Sequence, residues 1–411
     1  MLDTTPRFSI IPQIQVTLNC NLNCTYCFQT HAGKIIDLFT AEQIIEKTVH
    51  SSTSDDNIKK TIQVYWHGGE PLLAGMDFFR KIIEIENRFP EVIFENRLQT
   101  NGTLLTDEFA AFFVEHGFDL GFSLDGPEYL HNLHRQYKGS KKGSFKAAMR
   151  GIDLYRRFAE SDQIPIIAVV THDSLDQANN IYDFFAELRA RVQLDIFDIR
   201  RLDIFPAQDD KDRIFHLAPS PEEVGHFLIT LFDRWFYDNT RRVDFKELRD
   251  EVKMILQPDL IQGNPFHKKR CDFRRTIFDP KGFAFSCDQY INDACCALGN
   301  IHKDSIQSIM AKKNRLWEDI KRHVRISSEQ MACHACAWGR QCSGGCMTCM
   351  KYNALLLSAR SKGLADTRWH EGHLPPSLEI IEGEFYYCDG LRLFREHVKK
   401  AVQKELTHAG E

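Results

Sequence analysis

The sequence predicts an α/β protein: a partial (β/α)6 barrel of the TIM type, followed by a Cys-rich α+β region. Three observations predict it. Between Ile10 and about Arg200, apolar strand-like runs alternate with amphipathic helical stretches. That alternation places parallel strands beside helical crossovers. The units number six, too few for a closed eight-fold barrel. The third observation is the cysteines, of which none lies between 28 and 270 and ten lie from 271 to 388.

The strands are expected at 11–18 (IPQIQVTL), 61–66 (TIQVYW), 92–99 (VIFENRLQ), 119–124 (DLGFSL), 164–170 (IPIIAVV) and 194–199 (LDIFDI). Helices are expected near 40–50, 76–88, 106–117, 144–160 and 175–190. Thr40, with Glu42 and Gln43 behind it, and Thr106, with Asp107 and Glu108, carry helix-start signals. Two more helical stretches follow a polar, turn-rich segment, near 220–236 and 244–256, and a last one covers about 391–407. The domain boundaries expected are 1–235 for the barrel, 236–270 for a linker, 271–390 for the Cys-rich domain and 391–411 for a C-terminal helix.

At 411 residues the chain is long enough for two or three domains. A net charge of -5 and 27% charged residues give no basic footprint for nucleic acid or an anionic membrane. No apolar run reaches the ~18 residues a span needs, and MLDTTPRFSIIPQ lacks a signal-peptide pattern. A cytoplasmic location is expected, where thirteen cysteines are metal ligands or buried thiols rather than disulfides.

Cys20, Cys24 and Cys27 form C-x3-C-x2-C directly after the first strand. Three thiols on one loop are one short of the four that an all-Cys cluster or a structural zinc takes. Such a site leaves a metal position open for chemistry. The spacing, with Tyr26 before the last Cys, resembles the signature of the radical S-adenosylmethionine (radical SAM) enzymes. The resemblance implies a [4Fe-4S] cluster on Cys20, Cys24 and Cys27, whose fourth iron takes the amino and carboxylate groups of SAM. Tyr26 and Phe28 would then lie against the cofactor.

The next strand ends carry further motifs. Paired glycines in His67-Gly68-Gly69-Glu70-Pro71 allow close backbone approach, and a Glu accepts from an ammonium. The run looks like the family's GGE motif, in which Gly68, Gly69 and Glu70 bind the SAM amino group. Gln99-Thr100-Asn101-Gly102 reads as a turn or as a polar wall of Gln99 and Asn101 toward cofactor or substrate. QTNG resembles the peptide-modifying branch. In Ser123-Leu124-Asp125-Gly126-Pro127, Asp125 is either a helix cap or, with Ser123 and Arg135, part of the SAM site that the resemblance implies. Thr171, at the end of the fifth strand, is expected to line the ribose or adenine pocket.

The second cysteine region reads Cys271-x10-Gly282-x4-Cys287, then Cys333-x2-Cys336-x5-Cys342-x3-Cys346, then Cys388. CxxC runs alone suit a zinc ribbon, but the pieces exceed one tetrahedral site. The whole order looks like the SPASM domain of radical SAM peptide maturases, which carries two auxiliary [4Fe-4S] clusters. The resemblance assigns Cys333, Cys336, Cys342 and Cys388 to the outer cluster and Cys271, Cys287 and Cys346 to the inner one. Relatives with a fully ligated inner cluster commonly have a further Cys just before the first, and 258–270 contains none. Cys295 or Cys296 would complete it, or an iron stays open. Otherwise Cys295, Cys296 and Cys349 are packing residues. Asp288, after Cys287, stands where sulfatase-maturating relatives keep a catalytic base, or it tunes the cluster ligand beside it. Trp369-His370-Glu371-Gly372-His373 does not match H-E-x-x-H and reads as a polar turn.

The resemblance covers about residues 10 to 390 and implies three [4Fe-4S] clusters with SAM. Reductive cleavage of SAM would yield a 5'-deoxyadenosyl radical that abstracts hydrogen, and the auxiliary clusters would accept the second electron. The partners implied are a precursor peptide or protein and an electron donor such as flavodoxin or ferredoxin. The absent upstream Cys favours a maturase that cross-links a ribosomally made peptide (C-C, C-O or C-S). QTNG, SLDGP and CDQYI suit a second reading, an anaerobic sulfatase-maturating enzyme that oxidises Cys or Ser to formylglycine. A zinc-binding interaction module, the third reading, explains only the C-terminal CxxC run. No leader-binding winged domain is recognisable before Ile10, so the substrate is expected to bind in a cleft, by strand addition, or through a separate protein.

Overall fold

The computed structural model describes residues 10–31, 33–51, 60–197, 216–257, 275–291, 296–316, 318, 336–338 and 387–409. Six parallel strands stand side by side in chain order: β1 (Ile11–Thr17), β2 (Lys60–Gly68), β3 (Val92–Thr100), β4 (Asp119–Ser123), β5 (Ile164–Val170) and β6 (Ala190–Ile196). Strictly sequential order is the mark of a barrel rather than a doubly wound sheet. The helices between them are α1 (Leu38–Ser51), α2 (Met76–Glu86), α3 (Asp107–Glu115), α4 (Glu128–His134), α5 (Phe145–Ala159) and α6 (Ala178–Glu187).

The expected barrel strands and helices form, with four differences. β6 begins at Ala190 rather than 194, because the left-handed turn at Arg189 sets Ala190 beside Ile164 and the pairing runs on to Ile196. The stretch expected as a helix over 175–190 splits into a 3-10 turn, His172–Gln177, and α6. α4 has no counterpart in the sequence reading; only seven residues long, it is too short to show a period. Thr40 is not the cap of α1. Asp37 fills that role, accepting from the Thr40 amide at 2.7 Å, whereas Thr106 caps α3 as expected.

The strand residues alternate between two faces. Ile14 and Val16 join Ile44, Ile45, Ile62, Val64 and Trp66 in the core beneath the helices. Burying such side chains supplies about 1.5–3 kcal/mol each. Trp66 packs edge-on to Phe78 and Phe79, and its ring N–H donates to Asn96 at 2.7 Å. The other face, with Gln13, Gln15, Tyr65, His67 and Gln99, lines the barrel lumen.

Both edges of the six-stranded unit are extended. β7 (Asp244–Phe245) pairs with β6, between α7 (Pro221–Phe236) and α8 (Lys246–Leu256). Glu247 of α8, buried, accepts from the Leu194 amide at 2.8 Å. The segment expected as a linker, 236–270, therefore packs on the barrel wherever it is described. On the other edge β8 (Arg275–Phe278) runs parallel to β1. It forms an antiparallel pair with β9 (Phe283–Phe285), which pairs in turn with β10 (Gly299–Asn300). The last helix, α9 (Cys388–Ala409), starts three residues before the expected 391 and lies on α7 and α8. Residues 258–274, 319–335 and 339–386 lie outside the description, and with them Cys271, Cys333, Cys342, Cys346, Cys349 and the Trp369–His373 stretch. Cys295 is also outside it. Cys296 is buried among apolar neighbours.

Candidate active site

β1 ends at Thr17, and the loop that carries Cys20, Cys24 and Cys27 crosses the open end of the barrel. Two neighbours hold it by backbone hydrogen bonds. From one side Gly69 N donates to Thr17 O (2.7 Å) and Glu70 N to Asn19 O (3.0 Å). From the other, Asn23 N donates to Gln136 O (2.8 Å), Thr25 N to His134 O (3.1 Å) and Lys138 N to Asn21 O (3.0 Å). The paired glycines are required by the first contact. A Cβ on Gly68 would stand 2.2 Å from Thr17 O, and one on Gly69 would stand 2.1 Å from Asn19 O. Gly68 also has φ +134°, open to few residues with a side chain.

Glu70 is fully buried. Its carboxylate accepts from Thr100 Oγ1 (2.8 Å), Leu72 N (3.0 Å) and Asn101 N (2.8 Å). Burial pushes its carboxyl up to about 7 against those donors. The Glu70 carboxylate thus meets three protein donors beside the cysteine loop. Through them it holds the QTNG corner. Replacing Glu70 by Gln turns an amide N–H₂ toward at least one of these donors. A loss of about 1–3 kcal/mol is expected, read as a lower midpoint in chemical denaturation; an unchanged midpoint would disprove the tie.

Asn101 links that corner to the cysteine loop. Its Nδ2 donates to Asn21 Oδ1 (2.9 Å) and points at Cys20 Sγ (3.7 Å), while its Oδ1 accepts from Thr103 (3.0 Å from the amide, 2.7 Å from the hydroxyl). Gln99 faces the lumen and donates to Ser123 Oγ at 3.0 Å, so these two sequence candidates meet across β3 and β4.

Asp125 is not a helix cap. α4 starts after Pro127 without a side-chain cap. The Asp125 carboxylate is buried and receives a two-pronged ion pair from Arg135, Nε to Oδ2 at 2.9 Å and Nη2 to Oδ1 at 3.0 Å. It also accepts from the Tyr26 hydroxyl and from Val169 N (3.0 Å). Burial opposes its charge, yet Arg135 and these donors hold it below the usual carboxylate range. Arg135, far from facing solvent, is 7% exposed and lies 5.5 Å from the Tyr26 ring centre. Phe28, Val169 and Cys24 pack around buried Tyr26, Phe197 and Leu217, an apolar wall beside the cysteine loop.

Thr171 lies at the end of β5. Its side chain is buried, bonded to His134 Nε2 (3.1 Å) and engaged in capping the His172–Gln177 turn. His134, which the sequence reading passed over, bridges Thr171 and Thr25, the latter at 2.7 Å from Nδ1. No motif flags it, since it lies in the unpredicted α4.

As they stand, no three Cys, His, Asp or Glu side chains among the described residues converge tightly enough to hold a metal ion. The donor set nevertheless fits one. Burial pushes the thiols of Cys20 and Cys24 up to about 12, so both need a cationic partner to ionise. Leu22 N already donates to Cys20 Sγ at 3.3 Å.

Residues 14–185 match the family model of the radical SAM superfamily. The chain is a radical SAM enzyme. That family implies a [4Fe-4S] cluster and SAM, and Cys20, Cys24 and Cys27 are the residues suited to the cluster. Among curated relatives, the radical SAM chain is 29% identical over 338 residues to the cysteine-type anaerobic sulfatase-maturating enzyme of Clostridium perfringens, covering 80% of this chain and 86% of that one. It is 29% identical over 341 residues to the serine-type enzyme of Klebsiella aerogenes, covering 80% and 76%. The structure of anSMEcpe with bound AdoMet and Cp18Cys peptide superposes with TM-score 0.75 at 24% identity, covering 97% of this chain and 99% of that one. Streptococcus suis SuiB bound to precursor peptide SuiA gives TM-score 0.55 at 16% identity, covering 85% and 73%. These two likenesses establish the fold.

The Cys287 end of the site lies on the C-terminal unit. Asp288 Oδ1 is 3.4 Å from Cys287 Sγ. His67, on β2, is held below the usual imidazole range by burial, with Asp288 acting against that shift and Arg275 with it. Asp288 thus reaches the lumen electrostatically. Cys336 and Cys388 also share surroundings. Trp338 Nε1 donates to Glu396 of α9 at 3.0 Å, and the Arg392 guanidinium, raised first by its hydrogen bond to Asp389, is raised further by Cys388 and Cys336. Among the described residues no helix is long and apolar enough to cross a membrane.

Proposed function

We propose that this radical SAM enzyme oxidises a Cys or Ser side chain of a peptide or protein to formylglycine. The observation that carries the reading is the alignment of both cysteine-type and serine-type sulfatase-maturating enzymes over four-fifths of the chain. Sequence motifs alone rank peptide cross-linking first; the relatives reverse that order. With cluster and SAM bound, the pair supplies a 5'-deoxyadenosyl radical able to take hydrogen from an unactivated carbon.

The chain's own residues do the rest. Asn101 and Leu22 N support the Cys20 sulfur, Arg135 and Asp125 hold Tyr26, and the Phe28–Val169–Phe197 wall keeps water from the reacting centre. Asp288, which acts electrostatically on His67, would take the proton from the thiol or hydroxyl of the substrate radical as its second electron leaves, the remaining Cβ hydrogen becoming that of the aldehyde. Two auxiliary [4Fe-4S] clusters in a SPASM-type domain at 271–390 would accept the second electron. The nearness of Cys336 and Cys388 to Arg392 supports the outer one. Flavodoxin or ferredoxin would supply the first electron, in the cytoplasm.

A second reading, oxidative cross-linking of a ribosomally made peptide, is favoured by the absence of a Cys in 258–270, which leaves the inner cluster one ligand short. Mass spectrometry of a Cys-containing peptide after anaerobic turnover separates the two. Loss of about 18 Da at the Cys, from thiol oxidation followed by hydrolysis with release of sulfide, is expected. A loss of about 2 Da with fragmentation blocked across a ring would replace the formylglycine reading by cross-linking.

A further inference from the structure

Register places one set of side chains on the lumen face. Gln13 of β1 pairs with Tyr65 of β2 and with Ile277 of β8, and Ile11 pairs with Arg275. Residues paired in register share a face, so Gln13, Tyr65 and Arg275 look into the barrel together. The Arg275 guanidinium carbon lies 4.2 Å from the Tyr65 ring centre. Arg97, from β3, stands 5.5 Å from the same ring and donates to its hydroxyl at 2.9 Å. Two guanidiniums are thus fixed on one aromatic ring.

Their charge is only loosely balanced: Asp288 and Arg275 both act on His67, but neither guanidinium has a carboxylate closer than 4.0 Å among the described residues. No carboxylate among the described residues reaches Arg275, and its Nε is buried without a hydrogen-bond partner. Arg97 has only Glu95, at 4.0 Å, and that carboxylate already accepts from Gln63 at 2.8 Å. Gln13, 3% exposed and level with Tyr65 on the strand between, has an Nε2 donor with no partner either. Orphaned buried donors are costly and call for an acceptor. Two unpartnered donors on one face of the sheet, one of them on a stacked guanidinium, suit the two oxygens of a carboxylate.

The cysteine of the C-terminal unit does not account for this. Cys287 follows β9, on one side of β8. Tyr65 is two strands away on the other side, at about 4.8 Å per strand. Arg275 therefore extends away from Cys287, across β1, into the lumen.

We propose that Arg275, Gln13 and Arg97 form a subsite for a carboxylate of the substrate peptide, an acidic side chain near the oxidised residue or a C-terminal carboxylate. The subsite rests on the proposed peptide substrate and makes this enzyme selective for acidic peptides. Tyr65 keeps Arg275 extended before binding, so little side-chain entropy is lost on capture.

Fluorescently labelled peptides, each with one Cys and one Asp placed one to four residues to either side, test it by anisotropy on the cluster-loaded enzyme without reductant. A matching set carries Asn for Asp, and each is made with a free and an amidated C-terminus. At one or more spacings Asp is expected to bind about ten-fold tighter than Asn, with the preference lost in Arg275→Gln and partly kept in Arg275→Lys. A free-acid preference independent of Asp, lost in the same variant, assigns the subsite to the C-terminus. Equal binding of all pairs by wild type overturns the proposal. So does an Arg275→Gln enzyme that keeps the preference but changes its cluster EPR spectrum. Because no turnover is involved, the result stands apart from which product the peptide gives.

Discussion

Replacing Cys20, Cys24 and Cys27 together with Ala is expected to lower iron from about twelve to about eight per chain and to abolish formation of 5'-deoxyadenosine from SAM. The loop that carries them should survive. Its backbone is tied to Thr17, Asn19 and the 134–138 segment by bonds that involve no sulfur, so circular dichroism and the thermal midpoint of the apo-proteins should nearly coincide. The activity loss tests the placement of the radical-generating cluster on these residues. The iron count of the wild type tests the rest, since about four irons, with the C-terminal cysteines reduced and titratable, would remove both auxiliary clusters from the proposal.

The Asp125–Arg135 pair should give the largest loss of stability. Arg135→Leu leaves a carboxylate buried with only Tyr26 and Val169 N to meet it, and a cost of about 3–5 kcal/mol is expected. The double variant Asp125→Asn/Arg135→Leu should recover part of that loss, because the stranded charge is gone. The pH dependence has a definite sign. The folded state holds Asp125 below its unfolded value, near 3.9, so its contribution is complete above that value and disappears as pH falls through the depressed one. The stability gap between wild type and Asp125→Asn should therefore close only in strong acid. A gap constant from neutrality into strong acid would show that the carboxylate is not charged in the fold. Denaturant titration at several pH values reads both results.

How much of this was legible in the sequence follows from the range of the interactions involved. The strands of the barrel are short apolar runs with turn signals behind them, so their places can be read locally; β6 shifted because its start depends on pairing with β5. Motif residues were found, but their roles depend on what stands opposite. The motifs mark Glu70 and Thr171, but not the protein partners Thr100, Asn101 and His134 that meet them. Asp125 could equally be a cap until Arg135 folds back over it. His134, Gln13 and Arg275 carry no pattern at all, since their partners lie 37 or more residues away in the chain.

The pairing of β8 with β1 bears on how the molecule is made. A ribosome releases β1 first, yet its second neighbour is not synthesised until residue 275. Through most of translation the strand that leads into the cysteine loop presents a bare edge of N–H and C=O groups, open to pairing with another chain. The same edge would be exposed in any product truncated after the barrel. Completion of the sheet around β1 thus waits on residues 275–278, whereas the ties of the cysteine loop itself, to Gly69, Glu70 and the 134–138 segment, are made by residues released earlier.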